Sequence, residues 1–133
     1  MILVDSSVLI DVIEAKPDWK HWSAAQLTKY SASQGLVINV MVFAEISRAF
    51  PNVEMQNGFL KEAGIKVAPM SNEAAFTAAR AHLAYRAAGG SRTSTLPDFF
   101  IGAHAQAESF PLLTRDPSRI RNYFPRVTLI TPE

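Results

Sequence analysis

Four carboxylates stand where this chain could do chemistry: Asp5, Glu45, Asp98 and Asp116. Asp5 and Asp116 follow short apolar runs of strand type, while Glu45 and Asp98 fall in the first turns of helical segments. With only 12 acidic residues in the chain, four gathered at one edge of a sheet would concentrate much of its negative charge. Hard divalent cations such as Mg²⁺ and Mn²⁺ take oxygen ligands of this kind.

Each acid also has a plainer use. Asp5 could cap the helix that starts near Ser7. Thr95-Leu96-Pro97-Asp98 fits a capping pattern, with the acid favoured by the helix dipole. Asp116-Pro117 suits a cap followed by proline at the first helical position. Glu45 could pair with Arg48 one turn on, a gain of about 0.2–0.5 kcal/mol. This plain use fits Glu45 least well, because Val42-Phe43-Ala44-Glu45-Ile46 reads as a buried segment and a carboxylate there is costly unless paired or bound to a cation. One metal site would account for all four placements together.

The elements that must carry these acids alternate between strand and helix. Ile2–Val4 reads as a buried central strand, stopped by Asp5-Ser6-Ser7. Val8–Glu14 is a short helix, Lys16-Pro17 breaks it, and a second helix runs from Trp19 to about Tyr30. Further strands are expected at Leu36–Val40, Ile65–Val67, Leu112–Thr114 and Val127–Ile130. Helices are expected at Met41–Phe50, Val53–Ala63, Asn72–Ala88 (capped by Ser71) and Pro97–Ala107. Gly89–Ser94 is the one loop of flexible composition in mid-chain. This alternation predicts a single α/β domain over residues 1–133, with a central, mainly parallel five-stranded sheet flanked by helices. Ligands in such sheets bind beyond the carboxyl ends of the strands, where Asp5 and Asp116 fall.

Composition narrows the class of function further. At 133 residues the chain is long enough for one sizeable core, and 48% apolar content argues against disorder. A net charge of +1 does not suit a strongly basic nucleic-acid coat, so any contact with a polyanion must come from local arrangement. Absence of cysteine excludes disulfides and thiolate metal sites and suits a reducing cytoplasm. The opening apolar run is cut by Asp5 and Asp11, giving neither a secretory leader nor a membrane span. A cytoplasmic protein with no membrane association is therefore expected.

In four segments the chain resembles the PIN-domain ribonucleases, specifically the VapC-type toxins of type II toxin–antitoxin pairs. Ile2-Leu3-Val4-Asp5-Ser6-Ser7-Val8-Leu9-Ile10-Asp11 is similar to that family's opening strand, acid and helix. Glu45, after Val37-Ile38-Asn39, falls at its second acidic position. Leu96-Pro97-Asp98-Phe99-Phe100-Ile101-Gly102-Ala103-His104-Ala105 resembles its third segment, and Leu112-Leu113-Thr114-Arg115-Asp116-Pro117 through Tyr123-Phe124-Pro125 resembles its fourth. Ser7 departs from the asparagine often found there, although its hydroxyl can still bond a carboxylate.

The resemblance implies Mg²⁺- or Mn²⁺-dependent hydrolysis of RNA phosphodiester bonds, leaving 5′-phosphate ends. It also implies a homodimer and a cognate antitoxin that covers the site. Mg²⁺ is usually held directly by one or two carboxylates. Asp5 and Asp98 are the expected direct ligands, Asp116 a direct or water-mediated one, and Glu45 the group that positions or deprotonates the attacking water. Ser7 and Thr114 are candidates for orienting the acids by hydrogen bonds. Arg86, Arg92, Arg115, Arg119 and Arg121 could contact RNA phosphates, Arg115 and Arg92 foremost, or could be ordinary solvated charge. Trp19 and Trp22, three apart on a helix, read first as core or subunit contact and second as a base-stacking surface. His104 reads as a packing or surface histidine, and His21 and His82 lack zinc-ligand spacing.

Two rival classes remain. A haloacid-dehalogenase-like phosphatase expects an aspartate where Ser7 stands, and a phospho-receiver expects paired acids after the first strand. A catalytically inactive PIN-like scaffold that binds RNA or protein is the other. Four acids facing a polyanion argue against it, since they repel phosphate unless a cation bridges the two.

Overall fold

In the computed structural model, which describes residues 1–90 and 96–132, the uninterrupted apolar run Ile2–Val4 (β1) is fully buried. Burial on both faces is what a non-alternating strand requires, and β1 lies at the centre of a five-stranded sheet. Beside it are β2 (Leu36–Ile38) and β4 (Leu112–Leu113), with β3 (Ile65–Val67) and β5 (Leu129–Ile130) at the edges. All four pairings are parallel, with Leu3 aligned to both Val37 and Leu112. The expected α/β domain with a parallel five-stranded sheet is therefore present.

Helices make the connections: α1 (Ser6–Ile13), α2 (Lys20–Ser33), α3 (Val40–Ile46), α4 (Val53–Ala63), α5 (Asn72–Ala87), α6 (Leu96–Glu108) and α7 (Ser118–Tyr123). A single 3-10 turn, Ser47–Ala49, follows α3. From β1 the chain winds toward β2 and β3, whereas from β4 it winds the other way to β5. The connections thus diverge beyond the carboxyl ends of β1 and β4, opening the crevice where open α/β sheets bind ligands.

Several boundaries differ from expectation for local reasons. The second strand stops at Ile38 because the Asn39 side chain accepts hydrogen bonds from the Met41 and Val42 amides, each 3.1 Å, and starts α3 early. Helix α7 begins one residue later than the Asp116-Pro117 capping pattern suggests. Pro117 stands at its N-cap position without a side-chain cap, so Asp116 lies outside the helix and does not cap it. The Gly89–Ser94 loop and Arg92 fall largely outside the described residues. No helix among those described is long and apolar enough to cross a membrane.

Close approach of α6 and α7 depends on Gly102. A Cβ there would stand 2.4 Å from a Phe124 ring carbon and 3.0 Å from Ile120 Cδ1, and both neighbours are buried. Replacing glycine by alanine within a helix gains about 1 kcal/mol of propensity. Overpacking a tight core contact costs about 1–3 kcal/mol. Gly102→Ala is therefore expected to lower the melting temperature, as a thermal denaturation curve would show; an unchanged or raised Tm would mean that the Phe124 ring yields freely.

Candidate active site

Parallel pairing sets the first two parts of the site. The Asp5 amide donates to the Leu113 carbonyl at 2.9 Å, carrying the β1–β4 ladder one residue past β1 and placing Asp5 beside Thr114. Asp5 occupies the N-cap position of α1 but makes no capping bond. Its Oδ2 instead accepts from Ser7 Oγ at 2.9 Å and Thr114 Oγ1 at 2.8 Å. Both hydroxyls also accept backbone donors: Ser7 from the Arg115 amide at 3.4 Å, and Thr114 from the Asp116 amide at 3.0 Å. One small network therefore fixes Asp5 and the start of the Thr114–Asp116 loop together.

Asp98 enters from the first turn of α6, and Arg119 on α7 donates to its Oδ2 at 2.6 Å. Asp5, Asp98 and Asp116, with Ser6, Ser7, Ser118 and Arg119, line an open cleft of about 380 Å³. Ile101, Leu112 and Ile120 line a smaller adjoining hollow that shares Asp5, Asp98, Asp116 and Arg119 with the cleft. Glu45 lies on α3 outside that lining, yet the charges of Asp5 and Asp98 both act on it. Its expected partner, Arg48, is bonded to Glu14 instead, through Nε at 3.1 Å and Nη2 at 3.3 Å. Among the described residues Glu45 Oε1 is buried with no hydrogen-bond partner.

Burial is the main force on these acids. It pushes the Asp5 carboxyl above its ordinary range, outweighing the hydroxyls of Thr114 and Ser7, and the charge of Asp98 adds to the rise. Burial likewise raises Asp98, with Arg119 opposing and Asp116 reinforcing. Glu45 is raised by burial and then by Asp5 and Asp98, while the Ser6 hydroxyl works against the shift. Like charges held together out of water are costly, and a hard cation among them would offset that cost. The oxygens present, including the orphaned Glu45 Oε1, are chemically suited to such an ion. No three His, Cys, Asp or Glu side chains among the described residues form a preformed ligand group.

The arginines divide differently from expectation. Arg115 turns away to Asp11, a residue with no exposure, donating Nε to Oδ2 at 2.8 Å and Nη2 to Oδ1 at 3.0 Å. Ser23 adds a third bond to Asp11 at 2.9 Å, and the Arg115 guanidinium lies 5.3 Å from the centre of the Trp19 ring. The arginine at the acids is Arg119, whose guanidinium is also 5.9 Å from the Tyr85 ring. Tyr85 and then Asp98 raise its pKa, so it remains charged.

Sequence reading also passed over Asn39 and His104 as a pair. Both are fully buried, and Asn39 Nδ2 donates to His104 Nδ1 at 3.2 Å. Burial lowers the His104 pKa, which keeps the ring neutral and its Nδ1 an acceptor. Because Asn39 caps α3 and His104 sits on α6, this bond ties the helix of Glu45 to the helix of Asp98. An asparagine directly before an apolar helical run was the available signal.

The sequence matches the PIN domain over residues 2–124, and the chain belongs to that family. No curated protein matches it. Among solved structures, VapBC2 from Rickettsia felis, bound to a DNA fragment from its promoter, superposes with a TM-score of 0.73 at 18% identity, with all of both chains covered. FitAcB from Neisseria gonorrhoeae gives 0.68 at 20% identity, covering 99% of this chain and 98% of that one. VapBC-1 from nontypeable Haemophilus influenzae gives 0.69 at 15%, covering 98% of each. At these identities the likeness is one of fold.

Two substitutions with opposite signs test this electrostatic picture. Removing the Asp11 carboxylate (Asp11→Ala) takes the charged acceptor from the partly exposed Arg115 and from Ser23, and losing hydrogen bonds to a charged group of this kind costs about 1.5–3 kcal/mol. Denaturant unfolding should show a loss of that size. Glu45→Gln should instead raise the melting temperature at pH 7. Because the folded-state pKa of Glu45 is raised, ionising it opposes folding once the pH exceeds its unfolded value. The advantage of glutamine should therefore grow as the pH rises from the unfolded pKa through the folded one and vanish as the pH falls below the unfolded pKa; a pH-independent difference would remove the charge explanation.

Proposed function

We propose that this protein is the toxin component of a type II toxin–antitoxin pair and a divalent-metal-dependent endoribonuclease. The observation that carries the reading is the meeting of Asp5 and Asp98 in one cleft, with Glu45 near enough on α3 to feel both charges, each carboxyl pushed upward by burial and by at least one other acid. A fold has no structural gain from such crowding, so the strain points to a ligand that reverses it. Membership of the PIN family and the likeness in fold to VapBC and FitAB structures support the same reading.

Asp5 and Asp98 would hold Mg²⁺ or Mn²⁺, with Asp116 at the mouth of the cleft as a direct or water-mediated ligand. The ion, when bound, supplies Lewis acidity and lowers the pKa of water at neutral pH. Ser7 and Thr114 hold the Asp5 carboxylate in one rotamer, so little reorganisation is needed when the cation arrives. Glu45, whose carboxyl is raised by burial and which has no cationic partner among the described hydrogen bonds, would take the proton of the attacking water at its side-chain oxygen. Arg119 brings positive charge to the edge where an RNA phosphate must approach three acids. A second copy of the chain and an antitoxin covering the cleft are the partners this role calls for.

Incubating the purified protein with total RNA, in Mg²⁺ or Mn²⁺ and in chelator, tests the proposal. Discrete new 5′-phosphate ends that require metal are expected. Asp98→Asn and Asp5→Asn should abolish them while circular dichroism shows both variants folded. Cleavage unaffected by either change would remove that acid from the site; no cleavage and no metal binding by calorimetry would favour the non-catalytic scaffold.

A further inference from the structure

Partners at both ends of the Asn39 side chain settle which end is which. Its Oδ1 accepts from the Met41 and Val42 amides at 3.1 Å each, so the end turned toward His104 is the amide nitrogen, a donor. His104 Nδ1, 3.2 Å away, is therefore the bare acceptor, and the proton of the neutral ring stands on Nε2. That second nitrogen is buried with no hydrogen-bond partner among the described residues. The bond to Asn39 thus exists in one protonation state of the ring alone.

A proton on Nδ1 would set donor against donor. Asn39 could answer an imidazolium only by turning its oxygen round, and that would take the acceptor from both α3 amides. The helix has 7 residues, Glu45 among its last, and a helix so short depends on its cap and its packing rather than on its own bonds. Around the ring, α3 presents Asn39, the connection before α5 the Pro69 carbonyl, and the segment before β4 the Phe110 ring at 5.7 Å, none of them charged. Glu108, one turn on along α6, is the charge that acts on it. Its pull is weaker than burial, so the ring stays below the ordinary histidine range and is neutral at pH 7. Because the unfolded ring binds a proton more readily, this part of the stability is complete above the unfolded pKa and falls as the pH drops through it toward the folded one.

We propose that Asn39 and His104 are positioning residues for the acidic cleft: their bond keeps the helix of Glu45 in register with the helix of Asp98, and uptake of a proton by His104 breaks that register. Neither side chain lines the cleft, so both act through the helices they join. The consequence for cleavage rests on the nuclease reading, whereas the positioning does not. Acid should therefore disable the site through His104 before it neutralises the carboxylates themselves.

Nitrogen NMR of the histidine-labelled wild type tests the pair directly, with His21→Gln and His82→Gln assigning the other two rings. At pH 7 the Nδ1 of His104 should resonate as a bare nitrogen and its Nε2 as a protonated one. As the ring titrates, hydrogen-exchange protection of the Met41 and Val42 amides should fall about five-fold, which is what one net hydrogen bond is typically worth. His104→Asn keeps an acceptor near the place of Nδ1 and takes up no proton, so its protection should stay level over that range. His104→Leu, without an acceptor, should show the loss already at pH 7. In RNA cleavage with Mg²⁺, kcat of the wild type should fall with acid at a higher pH than kcat of His104→Asn, since protonation of the carboxylates is common to both. A proton on Nδ1 at pH 7, amide protection indifferent to the ring's titration, or identical acid limbs would each overturn the proposal. Should neither His104 variant fold, the wild-type ring and amide data still decide. Absence of cleavage in every protein, with the ring and amide results as expected, would remove the nuclease and leave the positioning pair.

Discussion

A guanidinium set against a carboxylate with no exposure to solvent, Arg115 on Asp11, holds the acid end of this sheet together. Asp11 belongs to α1, its third donor Ser23 to α2, and Arg115 to the loop after β4, so three segments meet at one charge. Burying an unpaired carboxylate would cost several kcal/mol, and the pair is tolerable because all three bonds are made with good geometry. Consequently the backbone at Arg115 cannot drift. Its amide bonds Ser7, its neighbours Thr114 and Asp116 link to Asp5, and the cleft inherits its shape from a bond on its far side.

Against that rigid frame, the acids of the cleft are held in surroundings that oppose their charge. Burial raises Asp5, Glu45 and Asp98, and only Asp98 has a cationic partner, Arg119, among the bonds made by the described residues. The fold therefore gives up stability at this edge while gaining it at Asp11. Such a contrast fits the proposed cation site, where Asp5 is already held by two hydroxyls while the other acids would still have to close on the ion.

Much of this was legible in the sequence because it depends on local pattern. Non-alternating apolar runs gave the buried central strands, Ser71 announced its helix, and Asp5 and Asp116 lie just beyond the carboxyl ends of β1 and β4 as expected. Long-range pairing was not legible. Arg115 sits next to Asp116 in sequence but bonds Asp11, 104 residues away, and Arg48 skips its helical neighbour Glu45 for Glu14. Adjacency along the chain says little about where a long flexible side chain ends. The Asn39–His104 bond was hidden for the same reason, with 65 residues between its members.

The two arginines that flank the cleft show how the same side chain is given different work by its surroundings. Arg115, with only 24% of its side chain exposed, is saturated by Asp11 and packed on Trp19, so its charge is spent inside the protein. Arg119 is 42% exposed and bonds an acid that is itself 33% exposed, in contact with water and with any approaching phosphate. An exposed pair contributes little to stability and exchanges partners at low cost. In the proposed nuclease, Asp98 and Arg119 could therefore part if a cation took the one and an anion the other, at lower cost than Asp11 and Arg115. Permanence on one wall and exchangeability on the other are what the proposed role asks of this cleft, which would have to keep its shape while its charges change partners.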